Sequence, residues 1–328
     1  MSNLILADSI EMATSAGAPT AEFRAGGTDL NARRRLHVSH GDVVDVRRLP
    51  GLDQIEPQAE GQTHMGALVT LDTAAHNEHL ITHYPAVAMS CGALATPQIR
   101  IMGTLGGVLL QRTRCWYFRH EAFDCYKKGG DECPAREGDH RFGVVFDQGP
   151  CVFPHPSTVG MVLMAYEAVV TVQGAEGKRQ MRMADLYGDG RDGTRDHLLA
   201  PGELLTEIVL PPPLADERAS YFRSISRARA EWALVEACVR LVVDEETNVI
   251  TAVFVAVGGV APVPLRLPQV EAALLGKAAT PTTFASAAKL AADGASPLSQ
   301  TKYKVPLLVG TVQETIQRAY DRVWGGEG

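Results

Sequence analysis

Four of the six cysteines in this chain, Cys115, Cys125, Cys133 and Cys151, fall within 37 of its 328 residues. Their spacings are C-x9-C, C-x7-C and C-x17-C. A structural zinc site draws its thiolates from close knuckles of two to four intervening residues, and this segment has none. Four thiolates spread along a loop suit an iron–sulfur cluster, which takes four cysteine ligands. Eight of the chain's 20 aromatic residues lie in the surrounding 46 positions, enough for an apolar shell against solvent. On spacing alone, zinc and unrelated thiols remain open alternatives. His120, His140 and His155 in the same stretch read as structural histidines. Cys238, in an apolar run, reads as a buried thiol, and Cys91 is given no role.

Two glycine turns offer a different chemistry. Gly26-Gly27-Thr28 and Gly103-Thr104-Leu105-Gly106-Gly107 each sit where a helix is about to begin. Glycine lets a ligand approach the main chain closely. Consecutive N–H groups at a helix start favour a phosphate. Neither turn has the Lys of a Walker loop or the G-x-G-x-x-G of a dinucleotide fold. Each is a weak signal alone, but two such turns, about 80 residues apart, can clamp one diphosphate from both sides.

The elements that must position these groups follow from periodicity and punctuation. A small βαβ-like unit is expected over residues 1–57, with helices at 9–16 and 29–36 and strands at 21–24 and 43–46. A second unit, 58–213, is expected to hold an extended stretch at 63–67, a helix from Thr70 or Asp72 through His79, and another at 85–93. A helix at 160–168 and strands at 169–172 and 207–210 complete it. Residues 111–156 lack periodicity and are rich in Gly and Pro, which predicts a long ordered loop of functional type. Pro211-Pro212-Pro213 reads as a linker. Residues 214–328 read as an α+β unit with strands at 219–226 and 250–257 and helices at 267–275, 281–292 and 309–324. The fold class expected is α/β (α+β).

Hydrophobic residues make up 45% and charged residues 21%, as in ordinary globular chains. A net charge of −7 without a basic tract argues against nucleic acid as the main partner. Arg33-Arg34-Arg35 and Arg47-Arg48 read as a solvated helix face and a loop. The N-terminus has no basic leader, and the apolar stretch at 160–172 is too short to span a bilayer. A cytoplasmic protein is expected; a periplasmic one is allowed if a partner carries a twin-arginine signal.

Beyond these readings, the residues resemble a family. Ala25-Gly26-Gly27-Thr28-Asp29-Leu30 resembles the first FAD-diphosphate loop in the flavoprotein (medium) subunits of molybdenum hydroxylases. Ala95-Thr96-Pro97-Gln98-Ile99-Arg100 with Gly103 to Gly107 resembles the second. His155-Pro156-Ser157, the run from Pro201 to Ile208, and Tyr221-Phe222-Arg223 resemble later signatures. The resemblance implies a two-part FAD-binding region, a smaller α+β C-terminal domain, and FAD held by Ala25, Gly26, Gly27, Thr28, Asp29, Leu30, Thr104, Gly106, Gly107, Ser157, Leu204 and Arg223. The cysteine segment resembles the subgroup with a [4Fe–4S] insertion, as in three-subunit bacterial aldehyde oxidases. This implies Cys115, Cys125, Cys133 and Cys151 as cluster ligands. It also implies partners: a large molybdenum subunit, a small subunit with two [2Fe–2S] clusters, and an external acceptor. No catalytic acid or base is expected on this chain.

The pattern departs from the family at three places. Val108 stands where Asn is usual, Thr158 replaces an Asp, and Arg223 replaces a Lys. Arg223 keeps the charge but changes the geometry. The nearest alternative is the β subunit of a 4-hydroxybenzoyl-CoA reductase-like enzyme. A zinc-stapled scaffold protein and a stand-alone flavin oxidase are rivals of other classes.

Overall fold

The computed structural model describes residues 2–17, 20–228 and 230–321. The chain begins with β1 (Leu4–Leu6), α1 (Ile10–Gly17), β2 (Glu22–Arg24), α2 (Leu30–Arg35) and β3 (Val43–Asp45). These strands form a parallel sheet in the order β1-β3-β2. β3 is central and buried at all three positions, as a parallel strand covered on both faces must be. β1 was not expected from the sequence. Its pattern is exposed at both ends, so it carries little hydrophobic signal.

The second unit contains β4 (Ile55–Pro57), β5 (Thr63–Gly66), α3 (Leu71–His76), α4 (Glu78–His83), α5 (Pro85–Ala93), α6 (Pro97–Met102) and α7 (Leu105–Leu109). It continues through α8 (Pro134–Glu137), α9 (Thr158–Ala165), β6 (Val169–Gly174), β7 (Gly177–Arg182), α10 (Met183–Tyr187) and β8 (Leu204–Leu210). The strands make an antiparallel sheet ordered β4-β5-β8-β6-β7. The helix expected through His79 is two helices. Thr70 caps α3 by accepting from the Thr73 N–H, and Asn77 caps α4 by accepting from the Leu80 N–H. α9 is buried along its whole length, a core helix rather than an amphipathic one.

The last unit has β9 (Arg218–Ser224), β10 (Val235–Asp244), β11 (Val249–Gly258), β12 (Leu265–Arg266), α11 (Pro268–Leu274), α12 (Pro281–Lys289) and α13 (Lys304–Tyr320). Its sheet is antiparallel, ordered β12-β11-β10-β9. Val235, Ala237, Val239 and Leu241 of β10 pack with Leu308, Val312 and Ile316 of α13. Cys238, on the opposite face, joins the core of the second unit with α9. β10 escaped the sequence reading because it is buried on both faces, which removes the alternation a strand usually shows. α13 starts five residues before the expected helix, and residues 322–324 of that expectation lie outside the described residues.

A buried ion pair of the C-terminal unit sits against the end of α9 in the second unit. Arg240 meets Glu217 at 2.7 Å, with side chains 3% and 5% exposed. Arg240 also donates to the Ala165 carbonyl at the end of α9 and lies over the Tyr166 and Phe254 rings.

Candidate functional site

The two glycine turns meet at one cleft of about 110 Å³. Its rim is Ala25, Gly26, Gly27, Thr28, Asp29 and Leu30 on one side and Thr104, Gly106 and Gly107 on the other. Phe23, Leu52, Leu68 and Leu204 give it an apolar wall. Gly27 has φ +71°, a conformation that side chains rarely adopt. A Cβ on Gly26 would collide with the Met102 carbonyl, and one on Gly106 would press on Ala67 at 3.0 Å. Thr104 caps α7 by accepting from the Gly107 N–H. Among the described residues, the N–H groups of Gly26, Gly27 and Thr28 have no partner within the chain. A row of free N–H groups on a cleft floored by glycine suits a diphosphate.

Asp29 follows this row, and its carboxylate is fully engaged. It accepts from Arg119 Nη2 at 2.6 Å and from Arg33 Nε at 3.1 Å, and it pairs with Arg114 Nη1 at 2.8 Å. The Arg112 N–H also donates to it, at 3.2 Å. Burial opposes ionisation here, but Arg114, Arg119 and Arg33 outweigh it and hold the carboxyl below its ordinary range. Arg33 is therefore no part of a solvated face. It is 7% exposed and also pairs with Glu22.

The cysteine segment is the long loop expected, with a 3-10 turn at Tyr126–Lys128 and one turn of α-helix at Pro134–Glu137. Cys115, Cys125, Cys133 and Cys151 line one small cavity with Tyr117, Phe118, Phe153 and Lys127. Burial pushes the Cys115 thiol up to about 12 and the Cys151 thiol up to about 11. Opposing this, backbone N–H groups of Phe118 and Tyr117 reach the Cys115 sulfur, and the Phe153 N–H and the Lys127 ammonium act on Cys151. N–H donors aimed at sulfur favour the thiolate. Among the described residues, no group of three or more His, Cys, Asp or Glu is arranged to hold a metal ion. What the four thiols share is the cavity that they line.

Sequence reasoning missed the supports of this cavity. Lys127 is 6% exposed and pairs with Asp196 at 2.9 Å, and Arg112 pairs with the same carboxylate at 2.5 Å. Lys304 donates to the carbonyls of Phe142, Gly143 and Gly259. The arginines around Cys115 were visible in the sequence. Their acceptors, 83 and 90 positions away, were not.

The remaining expected positions scatter. Leu204 lines the glycine cleft. Ser157 is 1% exposed and caps α9 by accepting from the Gly160 N–H. Thr158 donates to Glu236 at 2.7 Å. Arg223 lines a separate cavity of about 800 Å³ between β9 and the α3–α6 helices, alongside Thr96 and Arg100.

Comparison with known proteins agrees with this architecture. The FAD-binding domain of molybdopterin dehydrogenases matches residues 3–213, and the C-terminal domain of CO dehydrogenase flavoproteins matches residues 220–323. The aldehyde oxidoreductase FAD-binding subunit PaoB of Escherichia coli K12 is 35% identical, over 92% of each chain. The chain belongs to the FAD-binding medium-subunit family of the molybdenum hydroxylases. The family includes the nicotinate dehydrogenase FAD-subunit of Eubacterium barkeri, 23% identical over 92% of this chain and 89% of that one. Carbon monoxide dehydrogenase from Hydrogenophaga pseudoflava shares the fold with a TM-score of 0.78 at 21% identity, covering 98% of both chains. Quinoline 2-oxidoreductase from Pseudomonas putida 86 does so with a TM-score of 0.77 at 20% identity, covering 98% of this chain and 97% of that one. The fold class expected from the sequence is thus the family's: a mixed α/β FAD-binding region and a smaller α+β C-terminal domain. The protein is an FAD-binding oxidoreductase subunit. No helix among the described residues is long and apolar enough to cross a membrane.

Proposed function

We propose that this chain is the FAD- and [4Fe–4S]-carrying electron-transfer subunit of an aldehyde oxidoreductase-like molybdenum hydroxylase. Its partners would be a large subunit with the molybdenum centre and a small subunit with two [2Fe–2S] clusters. Electrons from those centres would leave through this chain to an external acceptor. The observation that carries the cluster assignment is the convergence of all four cysteines on one aromatic-walled cavity.

FAD supplies the redox chemistry, and the chain supplies binding and electrostatics. The N–H groups of Gly26, Gly27 and Thr28 would hold the diphosphate; those of Leu105, Gly106 and Gly107 already bond Val69, Ala67 and Thr104, so the second turn would contribute close approach rather than donors. Leu204 and its apolar neighbours exclude water from the same cleft. Arg223, in the cavity between β9 and α6, would offer a cation to the far end of the cofactor. Cys115, Cys125, Cys133 and Cys151 ligate the cluster, and Lys127 balances thiolate charge beside Cys151. No residue of the chain needs to act as a general acid or base.

The visible spectrum of the anaerobically purified chain, before and after dithionite, tests this. A flavin band on a broad iron–sulfur absorbance, both bleaching, is the expected result. A flavoprotein that contains zinc and no iron would sink the cluster assignment. A lone chain that turns over an organic substrate without partners would sink the subunit reading.

A further inference from the structure

The strongest connection between the two proposed cofactor positions is a single carboxylate. Asp29 ends the row of free N–H groups that faces the glycine cleft and occupies the N-cap position of α2, with no capping bond from its side chain. Its oxygens are held by Arg33 of α2 and by the cysteine segment. They receive Arg114, which precedes Cys115, and Arg119, whose own N–H bonds to the Cys115 carbonyl at 2.9 Å. Arg119 further donates to the carbonyls of Thr113 and Arg112, both at 2.9 Å, and so cinches the turn that presents the Cys115 sulfur. Side chains of Arg114, Arg119 and Asp29 are 24%, 11% and 13% exposed, so solvent screens the knot little.

We infer that Asp29 is a positioning residue that couples the sites: a filled cluster site tightens FAD binding through the Asp29–Arg114–Arg119 knot. The inference rests on the [4Fe–4S] reading above. The physical reason is geometric. Ligation fixes Cys115, which fixes the turn from Thr113 to Arg119, which fixes both guanidinium groups. These in turn hold the Asp29 carboxylate and the N–H row next to it in one orientation. Without ligation the turn is freer, and the row must be ordered at the expense of FAD binding. Coupling between two sites is reciprocal, so FAD retains the cluster by the same factor.

The test is a double-mutant cycle on FAD affinity, titrated into deflavinated chain, with iron content measured in each variant. Cys125→Ser removes the cluster without touching the knot. Asp29→Asn loosens the knot and leaves the four cysteines in place. Each single variant is expected to weaken FAD binding about tenfold, within the usual range of coupling. The double variant is expected to be no weaker than either single one, within about twofold. Arg119→Gln replaces Asp29→Asn if the latter does not fold, with the same expectation. Additive losses would overturn the inference, because a merely structural role for Asp29 predicts them. An iron-free Cys125→Ser chain with unchanged FAD affinity would also overturn it while leaving the cluster assignment standing. Wild-type chain purified without iron would remove the cluster assignment, and this inference with it.

Discussion

Gly26 has no room for a side chain, since its Cβ position is occupied by the Met102 carbonyl at the end of α6. Gly26→Ala must push α6 away or deform the first loop, an overpacking cost of about 1–3 kcal/mol. The expected outcome is loss of FAD from a chain that still folds, read by flavin absorbance and a thermal melt. Two buried histidines argue at the same scale. Burial lowers His155 and His197 from an ordinary 6.5 to about 4. Between those values the unfolded chain binds more protons than the folded one, so stability is lost as pH falls from 6.5 toward 4. Each histidine contributes on the order of 3 kcal/mol across that window. Denaturant melts at pH 7 and pH 5 should show the drop, and His197→Gln should flatten it. The glycines and cysteines were legible in the sequence because their chemistry is intrinsic to the residue type. Asp29 was expected only as a residue of the FAD loop; its pairs with Arg114 and Arg119 were not legible, because those residues lie far along the chain.

Elements marked by a cap, a proline or a dense apolar run were read from the sequence, and elements without such a mark were not. α5 was found with its limits because Pro85 opens it. β10 and the true start of α13 were missed. Lys304, the first residue of α13, reads as a surface lysine but is 1% exposed. The long loop follows the same rule in reverse. Absence of periodicity identified it, yet what orders it is polar: Arg112 and Lys127 on Asp196, and Arg136 on Asp147. Asp196→Asn leaves two cations without their shared partner in a buried place. A cost of about 3–5 kcal/mol is expected. It should appear first as iron loss under chelator with β-sheet circular dichroism intact, because the damage is confined to the loop and its neighbours.

At the scale of the molecule, the second unit and the C-terminal sheet share a core through α9 and Cys238, with Arg240 and Glu217 buried against the end of α9. Glu217→Gln should lower the melting temperature of the whole chain as one transition, by about 3–5 kcal/mol of stability, since the arginine stays buried without its counter-charge. Two transitions, with the C-terminal unit melting first, would show that the units are not joined in this way. The domain order and the fold class were recoverable from motif resemblance. The closeness of the junction was not, because its polar atoms come from a linker, a strand and a helix end that share no local pattern.

The three carbonyls around Lys304 set an order of manufacture. Gly143 and Lys304 are 161 positions apart. Gln300 and Ser299 close on His140 across a similar distance. The loop bearing Cys115 to Cys151 therefore emerges during synthesis long before the residues that brace it. On the ribosome the loop lacks the bonds from Lys304, Ser299 and Gln300 until α13 is made and docked. On the cluster reading proposed above, metal loading is expected to follow the docking of α13. A truncation that stops before α13 is expected to leave the four thiols open to alkylation, whatever the supply of iron.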